Sequence, residues 1–304
     1  MFSKIRLRIK YLKYKYLKHK IRKNPRYMLT KRVYEFLQNA TDADTPMTKD
    51  EREECLKFLR CHLIEVFNYP FVSKYRYRRI KVYRDRENGL RYVLTDENRR
   101  LYFKRGLSAH TIRGLYKMLC SEQDEQSPHN YCFRSLSINS ESVFADVGAA
   151  EGMFTLKFID KIKMAYLFEC EKDWEEALQA TFLPWKEKVV IVNKYVSNKD
   201  DADFTSLDHF FCNREKPTLI KMDVEGAEND VLKGADKLLD VGINDMLVCT
   251  YHQKDDEKNL SGLLAEKGYR IVASPGYMLF HHEVPNYGMV APFDFRKGLI
   301  HACI

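Results

Sequence analysis

The sequence predicts an α/β protein in which a mostly parallel sheet carries helices on both faces and follows a helical and β-meander module. Three observations lead to this prediction. Strand and helix signals alternate from residue 143 onward, which is the pattern of a parallel sheet. Short β-type runs separated by turns precede that region. Hydrophobic residues form 45% and charged residues 31% of the 304 residues, as in folded globular chains.

The first 26 residues form a basic arm. Residues 1–32 hold 13 Lys and Arg and no carboxylate, whereas the remainder holds 38 bases and 43 acids. Such an arm predicts peripheral contact with anionic lipids at the inner face of a membrane, and nucleic acid is the less expected polyanion because the body is acidic. We find no apolar run long enough for a transmembrane helix and no signal peptide. Eight scattered cysteines without a C-x-x-C pair indicate reduced thiols and a cytoplasmic location.

Residues 27–121 are predicted as the helical and β-meander module. Helices are expected over 31–38, over 48–67, where Thr48 and Glu51 make a capping box, and over 108–118. Three strands are expected over 80–83, 90–94 and 101–104. Arg76, Arg78 and Arg79 alternate with tyrosines, which would suit either an anionic substrate or a solvated strand edge. Residues 122–142 are polar and predict either a linker or a segment that covers a cofactor.

Residues 143–304 are predicted as the sheet domain. Strands are expected over 143–147, 165–168, 189–192, 219–222, 246–250 and 269–273. Helices are expected over 153–162, 174–182, 206–211, 227–239 and 257–267. Residues 277–280 and 299–303 could close the sheet as an edge hairpin. The tract His281-His282-Glu283 resembles a metal ligand set, but adjacent strand residues point to opposite faces, so surface histidines are the simpler interpretation.

A glycine turn follows the first strand of this domain, in the run Asp146-Val-Gly148-Ala149-Ala-Glu151-Gly152. Glycines at a strand–helix turn let a ligand approach the backbone. The dinucleotide fingerprint G-x-G-x-x-G is incomplete, and the carboxylates of Asp146 and Glu151 would repel a pyrophosphate. They suit a ligand with ammonium or sulfonium groups. A tight turn without a ligand is the alternative.

Two further acidic positions fall at strand ends. Glu169 ends the second strand, about twenty residues after the glycine turn, where an acid can accept both hydroxyls of a ribose. Asp223 follows the fourth strand, with Glu225 and Glu228 close behind. We expect Asp223 to serve the site, because ligands bind beyond the carboxyl ends of parallel strands. A solvated acid at Glu169 and simple helix N-terminal acids at Glu225 and Glu228 remain alternatives.

These runs together resemble the FkbM family of S-adenosylmethionine-dependent methyltransferases. The resemblance rests on Phe144-Ala-Asp-Val-Gly-Ala149, on Phe168-Glu169, on Ser206-Leu-Asp208 and above all on Ile220-Lys-Met-Asp-Val-Glu-Gly-Ala-Glu228, and it spans about residues 140–273. It implies a class I methyltransferase fold, S-adenosylmethionine as cofactor, and O-methylation, commonly of a glycan or a polyketide-type natural product. Carried over by position, Asp146, Gly148 and Gly152 would hold the methionine part, Glu169 would hold the ribose, and Asp223 would lie beside the transferred methyl. Ala149 and Glu151 in the same turn are further candidate cofactor-binding residues. We expect an O-methyltransferase that acts on a saccharide or glycolipid precursor.

His252 is a candidate general base. It follows the fifth strand and so faces the same edge as Asp223, and imidazole titrates near neutrality. A capping or surface histidine is the alternative. Tyr251, Glu225 and Glu228 are candidate substrate-binding residues. We predict no metal, although Asp255 and Asp256 could join Asp223 and His252 around a divalent cation that acidifies the acceptor.

Two other classes of protein remain open at this stage. A nucleotide-dependent oxidoreductase could use a similar sheet, although the acidic, incomplete glycine turn disfavours it. A non-catalytic module directed to membrane or nucleic acid by the basic arm is the other alternative. We favour the O-methyltransferase because three separate motifs fall at one sheet edge.

Overall fold

The computed structural model describes residues 24–132, 136–280 and 294–304. The chain divides into two compact units, Met1–Val72 with Gly276–Arg296, and Ser73–Pro275 with Lys297–Ile304. The first division falls inside the predicted 27–121 module. The predicted boundaries at residues 26, 121 and 142 stay predictions. Most of the basic arm, residues 1–23, and the tract His281-His282-Glu283 lie outside the described residues.

In its described residues, the first unit contains two helices and an antiparallel pair of short strands. Helix α1 (Pro25–Asn39) begins at the Asn24 cap, and α2 (Lys49–Leu59) begins at Thr48, where the predicted capping box is present. The second helix ends eight residues earlier than the expected residue 67, and a 3₁₀ turn follows at Pro70–Lys74. A core of apolar side chains from both helices includes Val33, Leu37 and Phe58.

The predicted meander is confirmed, and it belongs to the second unit. Strands β1 (Tyr83–Arg84), β2 (Arg91–Leu94) and β3 (Arg100–Phe103) pair antiparallel in that order. Helix α3 (Ala109–Glu122) follows, and Ser108 caps it as predicted. The meander and α3 contribute buried side chains to the same core as the large sheet, among them Leu101, Phe103 and Ile112.

The strands of the large sheet are β4 (Val143–Val147), β5 (Met164–Phe168), β6 (Val189–Val192), β9 (Leu219–Met222), β10 (Asp245–Cys249), β11 (Arg270–Ala273) and β14 (Leu299–Cys303). They lie in the order β11–β14–β10–β9–β4–β5–β6. Strands β6, β5, β4, β9 and β10 run parallel, and β14 runs antiparallel to both of its neighbours. The predicted mostly parallel sheet is therefore confirmed.

Alternating side chains of each strand supply two cores, one on each face. In β4, Phe144 joins one core, and Val143 and Ala145 join the other. The first face is covered by α3, α4 (Met153–Phe158) and α5 (Glu175–Phe182). The second is covered by α6 (Leu207–Phe210), α7 (Glu228–Lys233), α8 (Asp236–Val241) and α9 (Asp256–Glu266). A further parallel pair is formed by β7 (Tyr195–Val196) and β8 (Phe204–Thr205).

Two expectations about local structure were wrong. The predicted edge hairpin does not form, because β12 (Met278–Phe280) pairs with β13 (Asp294–Arg296) in the first unit while β14 enters the large sheet between β10 and β11. The helix expected over 227–239 is two helices that meet near Gly234. A Cβ at Gly234 would lie 2.1 Å from the carbonyl oxygen of Ser197, so the chain approaches too closely there for any side chain.

Helices long and apolar enough to cross a membrane are absent from residues 24–132, 136–280 and 294–304. All eight cysteines fall within these ranges, and each is a free thiol, as predicted.

Candidate active site

The strand order reverses between β4 and β9, and the carboxyl ends of these two strands define the site. The chain proceeds outward from β4 through β5 to β6, then returns to β9 and β10 on the other side. Ligands of open parallel sheets bind in the crevice beyond such a reversal. Asp223 lies directly after β9, and the glycine turn lies directly after β4.

The glycine turn is tightly folded against the end of β9. Gly148, Ala150 and Gly152 adopt left-handed φ angles of 77°, 45° and 81°. A Cβ at Gly148 would lie 1.8 Å from the carbonyl oxygen of Asp223. Both Gly148 and Ala149 donate their backbone N–H to the carbonyl of Phe168, at 2.9 and 3.0 Å. Glycine is therefore required at position 148, because no side chain fits between the turn and the end of β9.

Asp146 is committed to interactions inside the protein. Its buried carboxylate accepts a hydrogen bond of 2.7 Å from the Thr155 hydroxyl and lies 3.2 Å from the Lys221 ammonium. Burial alone would lower the pKa of Lys221, but the carboxylates of Asp146 and Asp223 raise it well above its usual value. Lys221 also donates to the carbonyl of Gly148 at 2.5 Å. Asp146 thus fixes the glycine turn through Lys221, and its effect on a ligand would be indirect.

Glu169 connects the ends of two strands with the glycine turn. Its carboxylate accepts the backbone N–H of Ala150 and of Glu171, each at 2.8 Å. Asn193 donates to its carbonyl at 2.8 Å. Each carboxylate oxygen has a second lone pair, so both can also accept from a ligand hydroxyl. The sequence therefore located Glu169 correctly beside the turn, and its ribose contact stays a prediction.

Polar side chains surround Asp223; we call them the Asp223 cluster, which comprises Asp223, His129, Tyr131, Tyr251 and His252. The hydroxyl of Tyr131 donates to the carboxylate of Asp223 at 2.7 Å, and the hydroxyl of Tyr251 donates to the same carboxylate at 3.2 Å. The Nε2 atoms of His252 and His129 lie 3.4 and 3.9 Å from the carboxylate. Burial would raise the pKa of Asp223, but nearby Lys221 and the two histidines lower it to about 2. The carboxylate is therefore ionised throughout the physiological range.

His252 is held by a second carboxylate behind Asp223. Its Nδ1 lies 2.9 Å from Oε1 of Glu228, which is 1% exposed and also accepts the backbone N–H of Val224 at 3.1 Å. Glu225 is largely exposed, and its carboxylate lies 3.6 Å from Nε2 of His252. Burial would lower the pKa of His252, but these three carboxylates raise it. Glu228 thus contacts the histidine from the buried side, whereas Glu225 is the solvent-exposed member of these three carboxylates.

A cavity of about 90 Å³, which we call the acidic cavity, adjoins the cluster. Its walls include Glu122, Gln123, His129, Tyr131, Gly148, Ala149, Glu151, Lys221 and Asp223. Burial raises the pKa of Glu122 to about 8 and that of Glu151 to about 7. Carboxyls of this kind ionise readily once a cation lies beside them. The donor set therefore fits a ligand with ammonium and sulfonium charges, as the glycine turn predicted.

Sequence reasoning missed several of these side chains as site residues. His129 was predicted only as part of the polar tract before the sheet that is either a linker or a cofactor cover, and Tyr131 was not singled out. Burial lowers the pKa of His129 to about 4, so its imidazole is neutral, and its Nδ1 has no hydrogen-bond partner among the described residues. Residues 122–142 were predicted as a linker or a cofactor cover, and four of their described residues line the acidic cavity.

The geometry also bears on the metal alternative. In the described part of the chain, two groups place three possible ligand atoms within 4.8 Å of one another: Asp223 with Glu228 and His252, and Asp223 with His129 and Cys249. Asp255 and Asp256 belong to neither group. The carboxylate of Asp256 instead accepts the backbone N–H of Gln253 at 2.6 Å.

The structure has the class I methyltransferase fold that the sequence predicted. Its parallel sheet contains one antiparallel strand, a glycine turn follows the central strand, and acids lie at the neighbouring strand ends. Residues 122–271 match the methyltransferase FkbM domain family. This match confirms the resemblance to the FkbM family that the sequence motifs predicted.

Several solved structures are similar to the chain. A methyltransferase FkbM from Methylobacillus flagellatus is 18% identical, with 64% of this chain and 54% of that chain covered and a TM-score of 0.45. A precorrin-6Y C5,15-methyltransferase from Geobacter metallireducens is 11% identical, with 70% and 96% covered and a TM-score of 0.41. A candidate methyltransferase from Streptococcus mutans in complex with SAH is 12% identical, with 55% and 91% covered and a TM-score of 0.34.

The chain spans about half the length of the Methylobacillus protein. No curated protein sequence matches the chain.

Proposed function

We propose that the protein is an S-adenosylmethionine-dependent O-methyltransferase that methylates a hydroxyl of a saccharide or glycolipid precursor. The observation that carries the proposal is the acidic cavity, which joins the glycine turn to the ionised Asp223 within the FkbM domain. Its buried acids match a cofactor that carries both an ammonium and a sulfonium charge. When bound, this cofactor supplies a methyl group that is already electrophilic.

The glycine turn and the acids would hold the cofactor. The backbone at Gly148 and Ala149 lines the cavity and leaves room for close approach. Glu122 and Glu151 offer negative charge to the methionine part, and Glu169 offers lone pairs to the ribose hydroxyls. In this proposal Asp146 acts through Lys221 and does not contact the cofactor.

His252 would accept the proton of the acceptor hydroxyl. A proton on Nδ1, which lies 2.9 Å from Oε1 of Glu228, would leave the lone pair of the neutral ring on Nε2, on the side of Asp223. Asp223 is too weak a base to take the proton itself, because its pKa is about 2. It can orient the hydroxyl and then stabilise the imidazolium that forms. Tyr251 donates to the same carboxylate and would help to position the acceptor.

Calorimetry tests the cofactor assignment. We expect the full chain to bind S-adenosylmethionine and not NAD, which would separate the methyltransferase from the oxidoreductase alternative. We also expect the cationic sulfonium compound to bind better than neutral S-adenosylhomocysteine. Glu151→Gln should remove most of that preference, whereas Glu87→Gln, an exposed acid of the meander, should leave it unchanged. Equal affinity of the wild-type protein for both compounds would count against the acidic cavity as the cofactor site.

The pH dependence of methyl transfer tests the base. With labelled cofactor and a panel of glycans, kcat/KM should rise with pH through an apparent pKa above 6.5, because His252 must lose its proton first. His252→Gln should lower kcat by about 10²–10⁴-fold and abolish this rise. A rise that survives in His252→Gln but disappears in His129→Gln would assign the proton to His129.

The contact between the basic arm and membrane lipids remains a separate proposal. Each base near an anionic surface contributes on the order of 1 kcal/mol, so the 13 bases of residues 1–32 are ample for recruitment. We expect co-sedimentation with anionic vesicles that salt reverses. Equal sedimentation with neutral vesicles would exclude an electrostatic tether.

A further inference from the structure

The second unit, Ser73–Pro275 with Lys297–Ile304, contains another cavity, which is strongly basic and is lined by other residues than the acidic cavity. It has a volume of about 330 Å³, within the range of small-molecule sites. Its lining includes the cations Lys74, Arg76, Arg79, Lys81 and Lys117. We call it the basic pocket. Asp96 is the single carboxylate in its lining.

Most of this positive charge is uncompensated. Lys74 forms an ion pair of 2.9 Å with Asp124, which is 4% exposed. Arg76, Arg79, Lys81 and Lys117 have no ion pair within the described ranges of the chain. Cys120, on the pocket wall, adds no negative charge, because burial raises the pKa of its thiol to about 11. An anion that entered the pocket would meet several cations without displacing an existing partner.

Hydrogen bonds attach the segment that bears these cations to helix α3 and to Asp124 just beyond its end. The hydroxyl of Tyr75 donates to buried Asp124 at 2.7 Å, and the guanidinium of Arg113 donates to the carbonyl of Ile80 at 3.0 Å. A 3₁₀ turn, Tyr77–Arg79, follows Arg76 and ends at Arg79, where the sequence predicted either an anionic-substrate site or a solvated strand edge. The hydroxyl of Tyr77 donates to the carbonyl of His110 at 2.9 Å.

The basic pocket and the acidic cavity share helix α3. Tyr116, Lys117 and Cys120 line the pocket, whereas Leu119 and Glu122 line the cavity. A ligand in the pocket would therefore leave the cofactor site free, and the two sites can be tested separately.

We propose that the basic pocket binds the phosphate or diphosphate group of a small molecule. Phosphate oxygens match guanidinium donors two at a time, which is the reason that arginines recur at phosphate sites. Tyr83 and Tyr116 supply apolar ring surface beside these donors, as a ligand with an organic part would require. The volume of about 330 Å³ suits a compact ligand better than a polynucleotide, which would need a long groove.

Binding of inorganic pyrophosphate to the full chain, measured by calorimetry at fixed ionic strength, tests the proposal. The pocket variant is Arg76→Gln with Arg79→Gln. The matched control is Arg78→Gln with Arg86→Gln, which removes two exposed charges outside the pocket lining. We expect the pocket variant to weaken binding by about tenfold or more and the control by less than about twofold, because charge-assisted contacts are the strong ones. Both variants should bind S-adenosylmethionine as the wild type does, which shows that the fold is intact.

The outcome also decides where the phosphate comes from. Tighter binding of glucose 1-phosphate than of inorganic phosphate would assign the group to a sugar phosphate, and equal binding would assign it to a free phosphate. Equal weakening of pyrophosphate binding in both double variants would overturn the proposal, since the basic arm or general charge would then account for binding. Binding of a single-stranded oligonucleotide without binding of pyrophosphate would overturn it as well.

Discussion

Substitution of Gly148 by alanine should damage both the stability of the protein and its cofactor site. The residue has a φ of 77°, and an added Cβ would lie 1.8 Å from the carbonyl oxygen of Asp223. That oxygen belongs to the backbone, so no side-chain rotation can relieve the contact. Either the glycine turn or the end of β9 must therefore move.

The size of the effect follows from these two features. A left-handed conformation costs an L-residue about 1–2 kcal/mol relative to glycine. To reach 3.0 Å, the shortest separation that real Cβ atoms show, the two atoms must move apart by about 1.2 Å. Overpacking of this kind costs about 1–3 kcal/mol more. A displacement of about 1 Å in a reacting group can also reduce the rate by about 10²-fold.

Gly106→Ala is the matched control. Gly106 has a φ of 89°, and a Cβ there would meet no atom within 4 Å, so this variant carries the backbone cost alone. Urea unfolding should show a loss of about 1–2 kcal/mol for Gly106→Ala and about 2–5 kcal/mol for Gly148→Ala. Calorimetry should show weaker S-adenosylmethionine binding only for Gly148→Ala. Equal stability and equal affinity in the two variants would refute the reasoning.

Two further predictions concern charge. The affinity for S-adenosylmethionine should rise as pH increases from about 6 to 9, because Glu151 and Glu122, with pKa values of about 7 and 8, lose their protons in this window and attract a cation. In the ligand-free protein the same raised pKa values affect stability in the opposite direction, because the folded state binds more protons than the unfolded state. The free energy of unfolding should therefore fall as pH rises from 4.5 to about 8. Glutamine at both positions should flatten both the affinity curve and the stability curve. His301→Ala removes the side chain whose Nε2 lies 2.6 Å from the buried carboxylate of Asp245. It should lower the free energy of unfolding by about 3–5 kcal/mol without changing cofactor affinity. A decrease of less than about 1 kcal/mol would show that the pair does not stabilise the fold.

Strands and helix starts were largely predictable from local sequence. Residues 143–147, 189–192 and 219–222 form strands with the predicted bounds, because each is a short apolar run with clear ends. The caps at Thr48 and Ser108 are equally local, since a side-chain oxygen meets a backbone N–H three residues on. Acids at strand ends could be placed at the site because parallel strands share one edge.

The remaining features depend on distant parts of the chain. Tyr131 hydrogen-bonds Asp223 across 92 positions, and no local pattern can report such a contact. Asp146 was expected to face the cofactor, but its partner Lys221 lies 75 positions away. The pKa values of His129 and His252 shift in opposite directions, because one imidazole is buried beside Lys221 and the other lies among three carboxylates. Only the folded arrangement reveals that difference.

The insertion of β14 has a consequence for how the protein reaches its native state. Among the described strands, β11 pairs with β14 alone, and β14 also pairs with β10. Between β11 and β14 the chain passes through the first unit. The sheet is therefore incomplete until the chain has returned from the first unit and β14 has inserted between β10 and β11. Such long-range pairing is slow and leaves strand edges open in the meantime. We expect refolding of the intact chain to show a late phase in which β10, β14 and β11 gain protection from hydrogen exchange together.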